Sequence, residues 1–298
     1  MEVRTAHPSD RDAIESLLAR REETDGHPAV SEHKAIRLLS PQQIGRVAIT
    51  GRNGGPTRLV GYAVASRHPA AAGLPHGHWA VEIVAEPGHP DEAGIVRLLA
   101  ETMPDVIHDE TPLTLWVWRR AETAAVSPLA LARRRLLAEM ARPLPTGIPW
   151  ALPEGIELRR FGDDDGKAWL EANNAAFAGH PENGALDEEN LAKRLAQPWF
   201  DPEGFLLAWE GERLIGSCWT KVHAEGRGEI YIIGVIPEAQ GRGLGRALLL
   251  AGLDDLHGRN SVGEAVLYTD AEDERAMRLY RSLGFETIRM LEELTLRG

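Results

Sequence analysis

Short apolar runs and amphipathic stretches alternate along the whole chain, and the pattern occurs twice. In the second half, runs apolar at every or every other position predict strands near 156–160, 204–210, 213–222, 228–236 and 264–269. Stretches with apolar residues three or four apart predict helices near 163–177, 187–196, 241–257 and 273–282, before a last strand or hairpin near 285–296. The first half opens in the same way. Glu2-Val3-Arg4-Thr5 reads as a strand, Ser9-Asp10 as a cap, and Ala13-Ile14 with Leu17-Leu18 as a helix face. Ile156-Glu157-Leu158-Arg159, Asp163-Asp164-Asp165 and Trp169-Leu170 repeat that order. Further on, Leu59-Val60-Gly61 mirrors Leu214-Ile215-Gly216, and Leu115-Trp116-Val117 mirrors Leu267-Tyr268-Thr269. The strand ending in Pro87 mirrors the one ending in Pro237. The spacing between partners is nearly constant, which marks a duplicated domain and not a short-period solenoid.

Each half therefore predicts strand, helix, helix, three strands, helix, strand, helix. That order is α/β, a mixed sheet with helices on both faces. Residues 142–153 carry four prolines and a glycine, so they read as a linker between a domain at 1–141 and another at 154–298.

Composition narrows the class without changing this layout. The 298 residues are 43% hydrophobic and 26% charged, as in ordinary soluble chains. No apolar run approaches the roughly 20 residues of a membrane span, and Met1 to Pro8 hold no signal-peptide core. Cys218 is the single cysteine, so no internal disulfide forms, and a reducing cytoplasm is expected. A net charge of −12 argues against a general binder of nucleic acid or of anionic membranes. A monomer acting on a small molecule is expected.

The strand Tyr231-Ile232-Ile233-Gly234-Val235-Ile236-Pro237 runs into Gln240-Gly241-Arg242-Gly243-Leu244-Gly245-Arg246, and a helix follows. A glycine turn between strand and helix aims free backbone N–H groups at one point, where an anion can sit on the helix N-terminus. Arg242 and Arg246 add local positive charge, so the turn reads as a pyrophosphate cradle. Gly234 within a β-branched strand suggests a bulge that opens a slot in the sheet.

The stretch from Val235-Ile236-Pro237 to Gln240-Gly241-Arg242-Gly243-Leu244-Gly245 resembles the acetyl-CoA signature of the GNAT N-acetyltransferases. Ala276 to Phe285, with Tyr280 ahead of Leu283-Gly284-Phe285, resembles that family's second signature. Pro198-Trp199-Phe200-Asp201-Pro202-Glu203-Gly204-Phe205, Trp219-Thr220-Lys221-Val222-His223 and Gly228-Glu229-Ile230-Tyr231 are similar to the tandem, mycothiol-forming branch of the family. The resemblance implies two tandem GNAT domains, each a mixed, mostly antiparallel sheet flanked by helices. It implies acetyl-CoA as cosubstrate, no metal, and the cysteine amine of cysteinyl-glucosaminyl-inositol as acceptor. Ile233, Gly234 and Val235 would hold the pantetheine arm. Gln240, Gly241, Arg242, Gly243, Leu244, Gly245 and Arg246 would hold the pyrophosphate, joined by Asp273, Glu274, Arg275, Ala276, Met277 and Arg278. Glu182, Lys221, Glu229 and Tyr268 would touch the acceptor, with Glu32 contributed by the first domain.

Amine acetylation needs a neutral amine, an oxyanion donor and a proton for the leaving thiolate. An α-amino group of pKa about 7.7–8.0 needs only a modest base. Glu229 is the expected base, acting through one or two waters, and strand alternation puts it on one face with Tyr231 and Ile233. Tyr280 is the expected acid, and a backbone N–H near Val235 the oxyanion donor.

Departures from the pattern matter. Gly88-His89-Pro90-Asp91-Glu92-Ala93-Gly94 carries two acids and no arginine where the first half should cradle a pyrophosphate, so that half is expected to lack the usual acetyl-CoA site and any chemistry. Ser217-Cys218 replaces the family's Phe-His, which leaves open another small amine or a peptide N-terminus as acceptor. A non-catalytic acetyl-CoA-binding module is the third reading. Asp273 replaces a usual Asn and still suits a helix cap. His76-Gly77-His78 reads as a loop pair and Arg133-Arg134-Arg135 as a solvated helix face.

Overall fold

The computed structural model describes residues 1–51, 57–68, 77–107, 111–120, 131–180 and 183–297. It forms two compact units: Met1–Leu136 with Leu291–Gly298, and Leu137–Met290.

The first unit holds β1 (Glu2–Thr5), α1 (Arg11–Asp25), α2 (Glu32–Ile36), β2 (Gln43–Thr50), β3 (Arg58–His68), β4 (His78–Ala85), α3 (Glu92–Thr102) and β5 (Leu113–Arg120). β6 (Arg133–Pro143) follows, and then β7 (Ile156–Arg160), α4 (Gly166–Ala176), α5 (Glu188–Leu195), β8 (Phe205–Glu210) and β9 (Arg213–Val222). The chain ends with β10 (Gly228–Val235), α6 (Leu244–Asn260), β11 (Glu264–Asp270), α7 (Glu274–Ser282) and β12 (Glu286–Arg297). The strands of the first unit lie in the order β1-β2-β3-β4-β5-β12, and those of the second in the order β6-β11-β10-β9-β8-β7. β4–β5 and β10–β11 are parallel pairs, while β1–β2, β2–β3, β3–β4, β6–β11, β9–β10, β8–β9 and β7–β8 are antiparallel.

The elements expected of the second half are present, and its last one is the single strand β12. The final helix expected of the first half would follow β5, where residues 121–130 lie outside the described residues. Other expectations need correction. Arg133-Arg134-Arg135 opens the strand β6, not a helix: Arg134 pairs with Glu293 (3.3 Å), and Arg135 lies 5.7 Å over the Trp116 ring. His78 is not in a loop. It opens β4, buried, 3.2 Å from Glu293, while His76 lies outside the described residues. The proline-rich stretch begins later than expected, because Arg142 and Pro143 still pair with Ala265 and Glu264.

The two sheets share a register that makes the duplication concrete. Ala65, Val81 and Leu115 lie side by side in the first unit, as Thr220, Ile230 and Leu267 do in the second. Four residues from Ala65, Gly61 pairs with Ala85, four residues beyond Val81. The matching Gly216 pairs with Val235, five residues beyond Ile230. The extra residue is Tyr231, at a register shift between Ile230 and Ile232. The bulge expected at Gly234 therefore sits at Tyr231. Gly234 is in register with Ser217, and a Cβ there would stand 2.9 Å from the Phe177 ring.

A bulge turns side chains over. Ile230 and Ile233 join the apolar cluster under α6, whereas Tyr231 and Ile232 both join the cluster around Trp169 and Trp219. Glu229 thus shares a face with Tyr231 but not with Ile233, contrary to simple alternation. α6 is apolar nearly all round, with Leu244, Leu248, Leu249, Leu250, Leu253 and Leu256 buried. A Cβ on Gly252 would lie 2.6 Å from the Cys218 sulfur, so glycine lets α6 sit directly on β9.

Candidate active site

β10 and β11 pair only at Gly228↔Ala265, Glu229↔Val266 and Ile230↔Leu267. Both strands run on, to Val235 and Asp270. Among the described residues, the β10 edge from Ile232 to Val235 therefore has no ladder partner on the β11 side. A bulge increases local twist and bends a strand, and the one at Tyr231 stands where the two strands part. A row of main-chain donors and acceptors faces the resulting slot.

The slot leads to the glycine turn. Gly241 and Gly243 have φ of +76° and +83°, and a Cβ on either would meet nothing within 4 Å. The left-handed backbone, not crowding, calls for glycine here. α6 starts at Leu244 with no side-chain cap, so its first N–H groups stay available to an anion. Leu244 itself is buried and offers only its main chain. Arg246 is exposed beside it, and Arg242 is paired with Glu210 (2.7 Å). Gln240 ties the turn together. Its amide donates to the Val235 carbonyl (3.0 Å) and accepts from Arg275 (2.8 Å). Asp273 caps α7 by accepting from the Arg275 and Ala276 N–H groups, both at 3.0 Å. Glu274 and Arg278 pair on the surface of α7, and Met277 is in the core, so its side chain cannot face a ligand. The turn and α7 together make a cradle whose chemistry suits a diphosphate.

Glu229 is 7% exposed at the closed end of the slot. His223 Nε2 lies 2.7 Å from its Oε2. Lys221 pairs with Glu229 across the ladder, and its ammonium stands 4.6 Å over the Trp199 ring and 5.5 Å over that of Tyr231. Arg194 donates to the Tyr231 hydroxyl (2.9 Å). Tyr268 stands on β11, one residue past the last pairing, opposite Glu139 of β6. Burial first, and then the charges of Glu139 and Glu229, push the Tyr268 hydroxyl well above its ordinary range. Glu139 is fully buried and held by Arg289 (2.6 Å) and Arg227 (3.5 Å).

Tyr280 ends α7. Burial first, and then Asp273 and Cys218, push its phenol up to about 12. The Leu283-Gly284-Phe285 corner holds it in place. Leu283 and Phe285 are buried, and their N–H groups donate to the Tyr280 carbonyl (3.0 and 3.1 Å). Gly284 takes φ +81°, and the Arg142 guanidinium donates to the Leu283 carbonyl. Tyr280 packs on the cluster that holds Ile233 and Val235, the face opposite to Glu229 and Tyr231. The base and acid candidates thus approach β10 from its two faces.

The structure brings together Glu229, Lys221 and Tyr268 of the expected acceptor residues. Glu182 lies outside the described residues, and Glu32 opens α2 of the first unit. Sequence reasoning missed His223, Glu139, Arg227 and Arg289. His223 was within reach of it, because it stands two residues beyond Lys221, just past the end of β9, and Lys221 is the ladder partner of Glu229. Glu139 has no local signal, since its partners are 88 and 150 positions away. Ser217 and Cys218 do not stand free: Ser217 accepts from the Trp169 indole (3.0 Å), and Cys218 is buried against α6.

The matching register also shows what the first unit lacks. Ala80 stands where the second has Glu229, Ser66 where it has Lys221, and Trp116 where it has Tyr268. Glu82, beside the position of the bulge, is tied to Lys34 of α2 (2.7 Å). Asp91 caps α3 by accepting from the Gly94 N–H (3.2 Å), and Glu92 pairs with Arg21.

Comparison with known proteins agrees with the geometry. Residues 167–285 match the acetyltransferase (GNAT) family model. The mycothiol acetyltransferase of Frankia alni is 39% identical over 94% of this chain and 90% of its own length. That of Streptomyces coelicolor is 40% identical over 94% and 89%. Among solved structures, a GCN5-related N-acetyltransferase from Sphaerobacter thermophilus aligns with TM-score 0.68 at 25% identity, covering 100% of this chain and 96% of its own. A tandem GNAT protein of the clavulanic acid pathway aligns with TM-score 0.68 at 19% identity, covering 99% and 97%, which speaks to fold alone. The chain is an acetyltransferase, and it belongs to the mycothiol acetyltransferases, a tandem branch of the GNAT family.

Proposed function

We propose that the second unit binds acetyl-CoA along the free edge of β10 and transfers its acetyl group to the cysteine amine of cysteinyl-glucosaminyl-inositol, which completes mycothiol. The observation that carries this reading is the parting of β10 from β11 after Ile230, with Glu229 at the closed end and the glycine turn beyond Val235. Main-chain groups of Ile233, Gly234 and Val235 hydrogen-bond the pantetheine arm. The diphosphate rests on the N–H groups from Gln240 to Arg246 and on the α7 start, Asp273 to Arg278, where Arg275 already braces Gln240.

The reaction is direct. The amine nitrogen attacks the thioester carbonyl, the C–S bond breaks, and no acyl-enzyme forms. Glu229 accepts the amine proton, directly or through water. A backbone N–H near Val235 donates to the developing oxyanion. Tyr280 gives the departing thiolate its hydrogen bond and proton, since a buried phenol stays protonated at neutral pH. Lys221 and Tyr268 hold the acceptor. The first unit does no chemistry, because Ala80 replaces the base and Asp91 takes the helix-end donor that a phosphate would need. The protein works as a cytoplasmic monomer.

A mass-spectrometric screen tests the acceptor. Cysteinyl-glucosaminyl-inositol should be acetylated far faster than glucosaminyl-inositol, free cysteine or peptides. Equal rates on peptides would overturn the assignment, and absence of turnover with intact CoA binding would favour a binding module.

A further inference from the structure

We propose that His223 is a positioning residue for Glu229: its Nε2–H holds one carboxylate oxygen and leaves the other to take the amine proton. The inference rests on the reading of Glu229 as the base. The ring nitrogen and Glu229 Oε2 are 2.7 Å apart, with the two side chains 13% and 9% exposed, so water competes little for the bond. The imidazole is itself held by its main chain. The His223 N–H donates to the Arg227 carbonyl (2.9 Å), and its carbonyl accepts from Gly226 (2.8 Å), whose φ of +84° closes the turn.

A neutral imidazole with its proton on Nε2 donates to the carboxylate and holds it in one orientation. The other charged or titratable groups around Glu229 are Lys221 on β9, Tyr268 on β11, Arg227 and Glu225 in the turn, and Glu139 with Arg289 behind Tyr268. His223 makes a direct hydrogen bond to Glu229.

Glutamine can donate the same hydrogen bond, whereas alanine cannot. His223→Gln should keep kcat within about threefold of wild type, and His223→Ala should lower kcat about tenfold or more. Neither should change CoA affinity by calorimetry. A kcat equally lost in His223→Gln and His223→Ala, or kept in both, would overturn the proposal. Glu229→Gln is the control. If it turned over like wild type, the base assignment itself would fail. If it were inactive while His223→Ala kept the full rate, only the role of His223 would fall.

Discussion

At the scale of single residues, the acid and the unused thiol make separable claims. Tyr280 carries a phenol pushed up to about 12 by burial, Asp273 and Cys218. A group with a raised folded pKa keeps its proton through neutral pH and loses it only near that value, so Tyr280 should impose no alkaline fall in kcat below about pH 10. Tyr280→Phe should cost about a hundredfold in kcat with the KM for acetyl-CoA little changed. A full rate in that variant would remove Tyr280 from the mechanism. Cys218 is fully buried, and burial, then Asp255, raises its thiol well above the ordinary range. It should resist iodoacetamide in the native protein. Cys218→Ala should retain turnover, whereas a loss of activity with native CoA binding would reopen an acyl-enzyme.

At the scale of elements, one extra residue in β10 decides the site. Tyr231 breaks the ladder, turns Ile233 toward α6 and stands where β10 leaves β11. Gly234 then passes beneath Phe177 with no room for a methyl group, since the would-be Cβ is 2.9 Å from the ring and 3.1 Å from Ala176. Gly234→Ala should cost about 1–3 kcal/mol, read as a fall in melting temperature. Adding Phe177→Leu should recover part of that loss. A Gly234→Ala variant as stable as wild type would show that α4 does not press on β10. Sequence periodicity found these strands and helices closely, because each buries a continuous apolar face. It misplaced the bulge, because nothing in Ile230-Tyr231-Ile232 marks where the register shifts.

At the scale of the whole molecule, the two units share a strand register but not the candidate reacting groups. Where the second unit has Glu229 and an uncapped α6, the first has Ala80 and an α3 whose N-terminus is taken by Asp91. Titration with CoA should therefore give about one site per chain. Two equivalent sites would return a cofactor role to the first unit. The pair Lys34–Glu82 gives that unit a structural demand of its own, because both charges lie away from water. Lys34→Met would strand a carboxylate and should destabilise the protein by about 3–5 kcal/mol. A loss under about 1 kcal/mol would mean that the pair is open to solvent.

Much of the protein is written locally. The glycine turn, the cap at Asp273 and the Leu283-Gly284-Phe285 corner are short-range devices whose backbone needs fix their residue types, so they could be read from the chain alone. The duplication was equally legible, since each copy repeats the same spacing of buried faces. Tertiary structure alone decided the rest. It set Glu139 between Arg227 and Arg289, closed His223 onto Glu229, turned Arg133-Arg134-Arg135 into a strand, and carried β12 from one unit into the other. Those arrangements depend on which strands become neighbours. Pairing between distant segments is settled by the burial of whole faces, and a linear pattern does not record it.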